Sequence, residues 1–287
     1  MKASLLMIQG TSSGAGKSTV VIALCRLFSN MGYKVCPFKA QNMTSNFYFL
    51  KANNSIKTMA KIQAVQAIAA RVEPDVRMNP ILLKPLGNNI SEIFLGGLKN
   101  LRMSAKDYYR NFVLQKGFPK VLQDLGRLRK EYDLILIEGA GSPAEINLSN
   151  YDIANMILAK KINSKVLLVA DIERGGCFAA IVGTIKLLPP TQRKLLKGII
   201  INKFLGQKSI LTKAITPVEK MTKKKVIGVI PNTQFNIPNE DSLDAKRSKS
   251  SFSMGYLDKQ IDKVASTFKK NIDMKYLLNI VKIDNEL

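Results

Sequence analysis

Residues 10–19 read GTSSGAGKST, set between an apolar run (Leu5–Ile8) and a helix-like stretch (Val20–Phe28). That layout is what a phosphate-binding loop requires. Glycines let the backbone approach the phosphates, the following helix begins with unsatisfied N–H groups and a positive dipole end, and a lysine neutralises charge. The usual pattern is G-x-x-x-x-G-K-[ST]. Here its first position is Thr11 and the glycine falls one place earlier, at Gly10. The loop Thr11, Gly14, Ala15, Gly16, Lys17, Ser18 and Thr19 is therefore expected to cradle a nucleoside triphosphate. Lys17 would sit on the β/γ-phosphates and Ser18 on Mg²⁺.

A second chemical signal is YDLILIEGAGSPAEINL, residues 132–148. A carboxylate at the tip of a strand next to a phosphate loop holds Mg²⁺ or orders its water. Glu138 fits that role, and its bland alternative is a capping or edge carboxylate. In PFKAQNM (37–43), Lys39 could neutralise charge developing during phosphoryl transfer. Gln41 and Asn42 could hydrogen-bond a polar substrate. The chain contains no histidine, which removes Ser-His and Cys-His nucleophile pairs and histidine bases or ligands together. Lysine, carboxylates, backbone amides and an oxygen-held metal are left to do the chemistry.

Such groups have to be carried on a rigid frame. Strands are predicted at Ser4–Gln9, Lys34–Phe38, Ser91–Leu95, Leu134–Glu138, Val166–Asp171, Gly198–Asn202 and Val226–Ile230. Several are continuous apolar runs, the pattern of parallel strands covered on both faces. Helices are predicted at Lys17–Asn30, Met59–Ala70, Ala105–Glu131, Ile153–Lys160, Phe178–Leu187 and Ile210–Met221, the third opening on Ser104 and Asp107. The alternation predicts an α/β fold, a doubly wound and mostly parallel sheet flanked by helices. Ligands in such sheets sit at the carboxyl ends of the strands. A main domain is expected over 1–243, a basic linker over 244–253 and a helical tail over 254–287, packed back on the domain or on a partner.

The 287 residues are 46% hydrophobic and 23% charged, ordinary for a soluble protein with a substantial core. No apolar run approaches the roughly 18 residues of a membrane span, and Gly10–Gly16 interrupts the first apolar stretch too early for a signal peptide. Three widely spaced cysteines, Cys25, Cys36 and Cys177, point away from a disulfide framework and toward a reducing cytoplasm. The net charge of +23 raises nucleic-acid binding, but the lysines are scattered and no aromatic-interleaved motif accompanies them. Anionic small molecules profit from the same field, and no nucleic-acid or membrane partner is expected.

The motifs together resemble the ATP-binding synthetase domain of the cobyric acid synthases, within the dethiobiotin synthetase-like P-loop group. MIQGTSSGAGKST (7–19), PFKAQNM (37–43), IQAVQA (62–67), MNPILLKP (78–85), MSAKDYY (103–109), IEGAGSPAEINL (137–148), DIANM (152–156), DIERGGCFA (171–179), GIIINKF (198–204), GVIP (228–231) and EDS (240–242) follow in one collinear order. The resemblance implies an ATP-dependent, amide-forming ligase of cobalamin synthesis. Its substrate would be adenosylcobyrinic acid a,c-diamide, its reaction carboxylate activation by phosphorylation and amidation, and its cofactors ATP and Mg²⁺. Ser18 and Glu138 would hold the metal, and Lys17, Lys39 and Glu138 would be catalytic. Asn202 matches the position that reads adenine in this group, with Pro231 near the same base. Asn42, Asn79, Lys84 and the loop from Ser142 to Asn147 would face the corrinoid. Asp171 and Arg174 could serve substrate or hold a turn through a salt bridge.

Two departures qualify the resemblance. Family members normally continue into a glutamine-hydrolysing domain, whereas this chain ends at Leu287 and has no histidine to activate a cysteine. Ammonia is then expected from solution or from a separate glutaminase subunit, with homodimerisation left open. Thr58 also stands near where the family pattern usually has a carboxylate; if that carboxylate helps hold the metal, the site is weaker here or another group substitutes. Thr11 replaces the signature lysine of the partitioning ATPases, against a positioning motor. A cobyrinic acid a,c-diamide synthase, a dethiobiotin synthetase-like ligase or a catalytically reduced nucleotide-binding scaffold are the competing readings.

Overall fold

Strands that must be apolar on both faces are the ones that reach the centre of this protein. The computed structural model describes residues 2–52, 55–237 and 254–282. β1 (Ser4–Gly10) leads through the glycine loop into α1 (Lys17–Asn30), followed by β2 (Val35–Phe38), β3 (Gln41–Met43), β4 (Phe47–Ala52), β5 (Ser55–Ala60) and α2 (Lys61–Ala69). Then come β6 (Ile81–Gly87), β7 (Ile90–Leu95), β8 (Leu98–Ser104), α3 (Ala105–Asp107), α4 (Phe118–Leu128) and β9 (Leu134–Glu138). The chain continues with α5 (Met156–Ile162), β10 (Lys165–Asp171), α6 (Cys177–Leu187), α7 (Pro190–Arg193), β11 (Leu196–Phe204), α8 (Lys208–Thr222) and β12 (Val226–Pro231). α9 (Met254–Asn271) and α10 (Met274–Val281) close the described residues.

The central sheet has six strands in the order β12-β11-β10-β1-β9-β2, every pair parallel. Successive side chains of a strand point to opposite faces. Met7, Ile135, Ile137, Leu168 and Ile199 accordingly pack in one core layer, with Val121 and Leu125 of α4 and Ile181 of α6. Their neighbours Leu6, Ile8, Leu136, Leu167 and Ile200 pack in the other, with Val21 and Leu24 of α1, Val65 of α2, and Val264 and Phe268 of α9. Helices thus cover both faces, the doubly wound arrangement that the alternation predicts. β1 lies between β9 and β10, so the chain's direction across the sheet reverses beside it. That is where an open parallel sheet forms its crevice.

The structure departs from the predicted elements in three places. Ser91–Leu95 is not in the parallel sheet. It is the core of β7, in a separate four-stranded sheet β3-β6-β7-β8 whose last three strands are antiparallel. The hairpin β4–β5, unread in the sequence, forms a third sheet, and it claims Met59 and Ala60 from the predicted helix start. The helix expected over Ala105–Glu131 is broken by a wider π-helical stretch, Tyr108–Gly117, before α4. Pro119, at the start of α4, has no N–H for the regular ladder.

α9 and α10 lie against the sheet layer that α1 begins. Ile261, Val264 and Phe268 are fully buried, and Arg26 of α1, 1% exposed, reaches across to Asp258 and, at 3.1 Å, to Asp262 of α9. The linker expected over 244–253 and the EDS motif at 240–242 lie outside the described residues. Among the described residues no helix is long and apolar enough to cross a membrane.

Candidate functional site

The glycine loop is shaped by backbone conformations that side chains resist. Gly14 and Gly16 have φ of +70° and +94°. A Cβ on Gly16 would stand 2.1 Å from Asn202 Nδ2, so glycine is required both for conformation and for space. Asn202 donates from Nδ2 to the carbonyl of Ala15 at 3.0 Å, and Lys203 donates from Nζ to that of Gly14 at 2.9 Å. Two neighbouring residues of β11 therefore hold the loop from beneath. No side chain caps α1, and a helix N-terminus reached through a glycine loop is suited to an anion.

Within the crevice Lys17, nearly buried, donates to the carbonyls of Ser12 at 3.1 Å and Gly141 at 3.0 Å. It joins the loop after β1 to the loop after β9. Glu138, wholly buried at the tip of β9, is the hub of a polar cluster. Its Oε1 accepts from Ser18 Oγ at 2.8 Å and from Lys39 Nζ at 2.9 Å, and its Oε2 accepts from Gln66 Nε2. Burying a carboxylate without such partners would cost several kcal/mol. One effect of its charge reaches Cys25, whose thiol is pushed well above the ordinary range, by burial first and by Glu138 second.

Ser18 and Glu138 present hydroxyl and carboxylate oxygens side by side, the hard donors Mg²⁺ prefers. Among the described residues no group of three or more His, Cys, Asp or Glu could hold a metal by itself. A cation here would take its remaining ligands from phosphate and water, the habit of Mg²⁺ in triphosphate sites. The residues present fit that ion.

The loop after Glu138 is braced from below. Asn155 donates from Nδ2 to the carbonyl of Ala140, and Asp152 Oδ1 accepts from the Asn155 N–H at 3.1 Å and from its Nδ2 at 3.2 Å. Burial raises Asp152 to about 6. Gly139 has no room for a side chain, because its Cβ would fall 2.2 Å from Asn155 Oδ1. Glu145 accepts from the N–H of Ser142 at 3.1 Å and closes the turn.

A cavity of about 1180 Å³ opens above these groups. A small-molecule pocket takes about 300–1,000 Å³, so the space exceeds the needs of one ligand. Of the expected binding residues, Gly14, Gly16, Lys17, Ser18, Thr19, Lys39 and Gln41 line it. Thr11, Ala15, Asn202 and Pro231 stand behind the lining. Thr11 extends the β1–β10 pairing through its N–H to Val169, and Asn202 spends its amide nitrogen on the loop.

The residues expected on the substrate side divide. Gln41 is in the cavity wall and accepts from the Tyr108 hydroxyl at 2.6 Å. Asn42 is 1% exposed and buried beside it in β3. Asn79 is equally buried, and its amide binds the backbone of Ala60, Lys39 and Ile81. It braces the Lys39 segment from inside. Lys84 lies outside the cavity lining, over the Phe47 ring at 5.7 Å. Ser142 and Asn147 are also outside the lining, Asn147 on an exposed turn. Asp171 pairs with Lys203 at 2.7 Å, whereas Arg174 faces the cavity, so the salt bridge considered between Asp171 and Arg174 is made to another residue. Thr58 is buried in β5 and does not reach the lining.

Sequence reasoning missed Gln66, Asn155 and Lys203. Two fully buried glutamines, Gln63 and Gln66, on the apolar helix α2 were a usable signal, since buried amides need partners. Lys203 gave none. Its left-handed φ of +59°, which turns the side chain under the loop, is a tertiary outcome.

A glycine loop from the first parallel strand into a helix, with its serine hydrogen-bonded to a carboxylate on the neighbouring strand, defines a P-loop nucleotide-binding domain. The chain belongs to the family described as the CobQ/CobB/MinD/ParA nucleotide binding domain, which matches residues 6–242. The cobyric acid synthase of Acaryochloris marina is 50% identical over 239 residues, covering 83% of this chain and 47% of that protein. The probable cobyric acid synthase of Thermococcus kodakarensis is 49% identical over 240 residues, 83% of this chain and 48% of that protein. The chain spans about half the length of the curated relatives it matches. Among solved structures, the septum site-determining protein MinD of Pyrococcus horikoshii, complexed with Mg-ADP, has a TM-score of 0.47 at 14% identity, with 99% of this chain and 97% of that one covered.

Proposed function

We propose that this chain is an ATP-dependent amidoligase of cobalamin synthesis. It activates side-chain carboxylates of adenosylcobyrinic acid a,c-diamide as acyl phosphates, for amidation to cobyric acid. The observation that carries this reading is the contact of Glu138 with both Ser18 and Lys39, beside Lys17, at the carboxyl ends of the parallel strands. The cobyric acid synthase names of the relatives at about half identity support the substrate class.

A carboxylate is a poor acyl donor, so it must first acquire a leaving group. A carboxylate oxygen attacks the γ-phosphorus, the bond to the bridging oxygen breaks, and ADP departs. Ammonia then adds to the acyl carbon, the C–O bond to phosphate breaks, and phosphate leaves with the amide formed and a proton released. Lys17 and the loop amides hold the β- and γ-oxygens in line, and Lys39 sits where negative charge builds on the transferring group. Ser18 and Glu138 would hold Mg²⁺, which would supply neutralisation of phosphate charge when bound. Gln41 would position the polar acceptor from the cavity wall.

Ammonia would come from solution or a separate glutaminase subunit, and three buried, unpaired cysteines suit work in a reducing cytoplasm. The test is ADP release with purified chain, Mg-ATP, ammonium and adenosylcobyrinic acid a,c-diamide. Release should require the corrinoid, match amide formed by mass spectrometry, and yield a hydroxamate when hydroxylamine replaces ammonia. ATP binding without corrinoid-dependent turnover would refute it.

A further inference from the structure

The family match ends at residue 242, yet part of the cavity wall comes from beyond it. Tyr256, Gln260 and Lys263 of α9 line the same space as the glycine loop. Spaced by four and three residues, they share one helix face. Another face buries Ile261, Val264 and Phe268 in the core, so α9 is fixed as a layer of the fold. Gln260 Oε1 accepts from the Asn236 N–H and the Tyr256 hydroxyl accepts from Asn236 Nδ2, each at 3.2 Å. Both therefore hold the strip that follows β12, where Phe235 and Ile237 also line the cavity. Arg26 ties α9 to α1, the helix whose first turn bears the loop.

Lys263 is left to face the ligand space, with no carboxylate partner among the described residues. Lys17, Lys39, Arg174, Lys203 and Lys263 line the cavity, and among the described residues no Asp or Glu lines it, although Glu138 and Asp171 pair with Lys39 and Lys203 from behind. An excess of cations faces the space, as at a polyanion site. Lys17 addresses the β/γ end of a triphosphate. Thr19 and Ile22, further along α1, line the cavity too, on the helix that α9 packs against through Arg26.

We propose that α9 completes the nucleotide site. Lys263 binds the α-phosphate and ribose end of the nucleoside triphosphate, while Gln260 and Tyr256 hold residues 232–237 as the wall beside the nucleoside. This rests on the reading of the cavity as an ATP site and adds to it a clamp from outside the family match.

Calorimetric titration of the full chain with Mg-ATP and Mg-ADP tests it, using Lys263→Ala, Lys263→Arg, Lys259→Ala and Lys17→Ala. Lys263→Ala should weaken both nucleotides about tenfold, the loss of one charge-assisted contact. Lys263→Arg should stay within about threefold, since it keeps the charge. Lys259→Ala, an exposed lysine of α9 outside the lining, should bind normally and so excludes a general charge effect. Unchanged affinities for Lys263→Ala, with Lys17→Ala losing ATP, would overturn the α9 assignment and leave the ATP site standing. Weakening of ATP alone would overturn the nucleoside-end placement. Wild-type affinity in Lys17→Ala would remove the underlying reading itself.

Discussion

Lys39 Nζ lies 2.9 Å from Glu138 Oε1, and the two side chains are 2% and 0% exposed. They come from the segment after β2 and from the tip of β9, neighbours in the sheet though nearly a hundred residues apart. A buried pair of this kind costs desolvation that Coulomb attraction only partly offsets, so its retention fits a role in chemistry better than one in stability.

Glu138→Gln should strand the Lys39 charge in the interior and destabilise the fold by about 3 kcal/mol. Adding Lys39→Met should recover most of that loss, because no buried charge remains unpaired. Neither variant should turn over ATP at more than about 1% of the wild-type rate. Urea unfolding and ADP release, measured on both, separate the two effects. A double variant less stable than Glu138→Gln would contradict the pairing argument.

Lys17→Ala removes the group that bridges the loops after β1 and β9 through Ser12 and Gly141. Turnover should fall by about a thousandfold or more, given the role proposed for it on the transferring phosphates. Steady-state ADP release is the measurement, and a rate near wild type would show that phosphoryl transfer happens elsewhere.

Asp258→Asn with Asp262→Asn leaves Arg26, among the described residues, with the carbonyls of Ala69 and Ile68 but no carboxylate partner. Both aspartates are about half exposed (48% and 51%), so the loss should be below that of a fully buried pair, about 2 kcal/mol. Arg26→Met, which keeps bulk and removes the charge, should cost less. Denaturant midpoints for the two proteins check the order.

Asp152 titrates at about 6 in the fold because burial disfavours its charged form. The native state then binds more protons than the unfolded chain between about pH 4 and 6, so stability falls as pH rises through that window. Its carboxylate should cost about 3 kcal/mol above pH 6 and almost nothing below pH 4. Asp152→Asn should flatten this part of the stability profile, with thermal melts at half-unit pH steps as the readout. A variant and wild type with parallel profiles would refute the assignment.

The strand cores and the glycine loop were legible because both are local. A parallel strand covered on two faces must be apolar at every position, and GTSSGAGKST carries its conformational demands in its own glycines. Lys17 and Ser18 could be named from their place at the start of the helix after the glycine loop, and Lys39 and Glu138 from theirs at strand ends. Asn79 could not be assigned correctly in this way, since a polar side chain in a motif reads alike whether it meets a ligand or braces a backbone.

The sequence by itself determined the α/β class and the nucleotide-binding glycine loop, since each follows from residue type and short-range spacing. Tertiary structure alone decided that β3 and β6–β8 form a second sheet, that Gln66 completes the Glu138 cluster, and that α9 walls the cavity. Those outcomes depend on which distant segments compete for the same buried surface. Contacts such as Arg26 with Asp262 or Gln66 with Glu138 span 236 and 72 residues, and no local pattern encodes them.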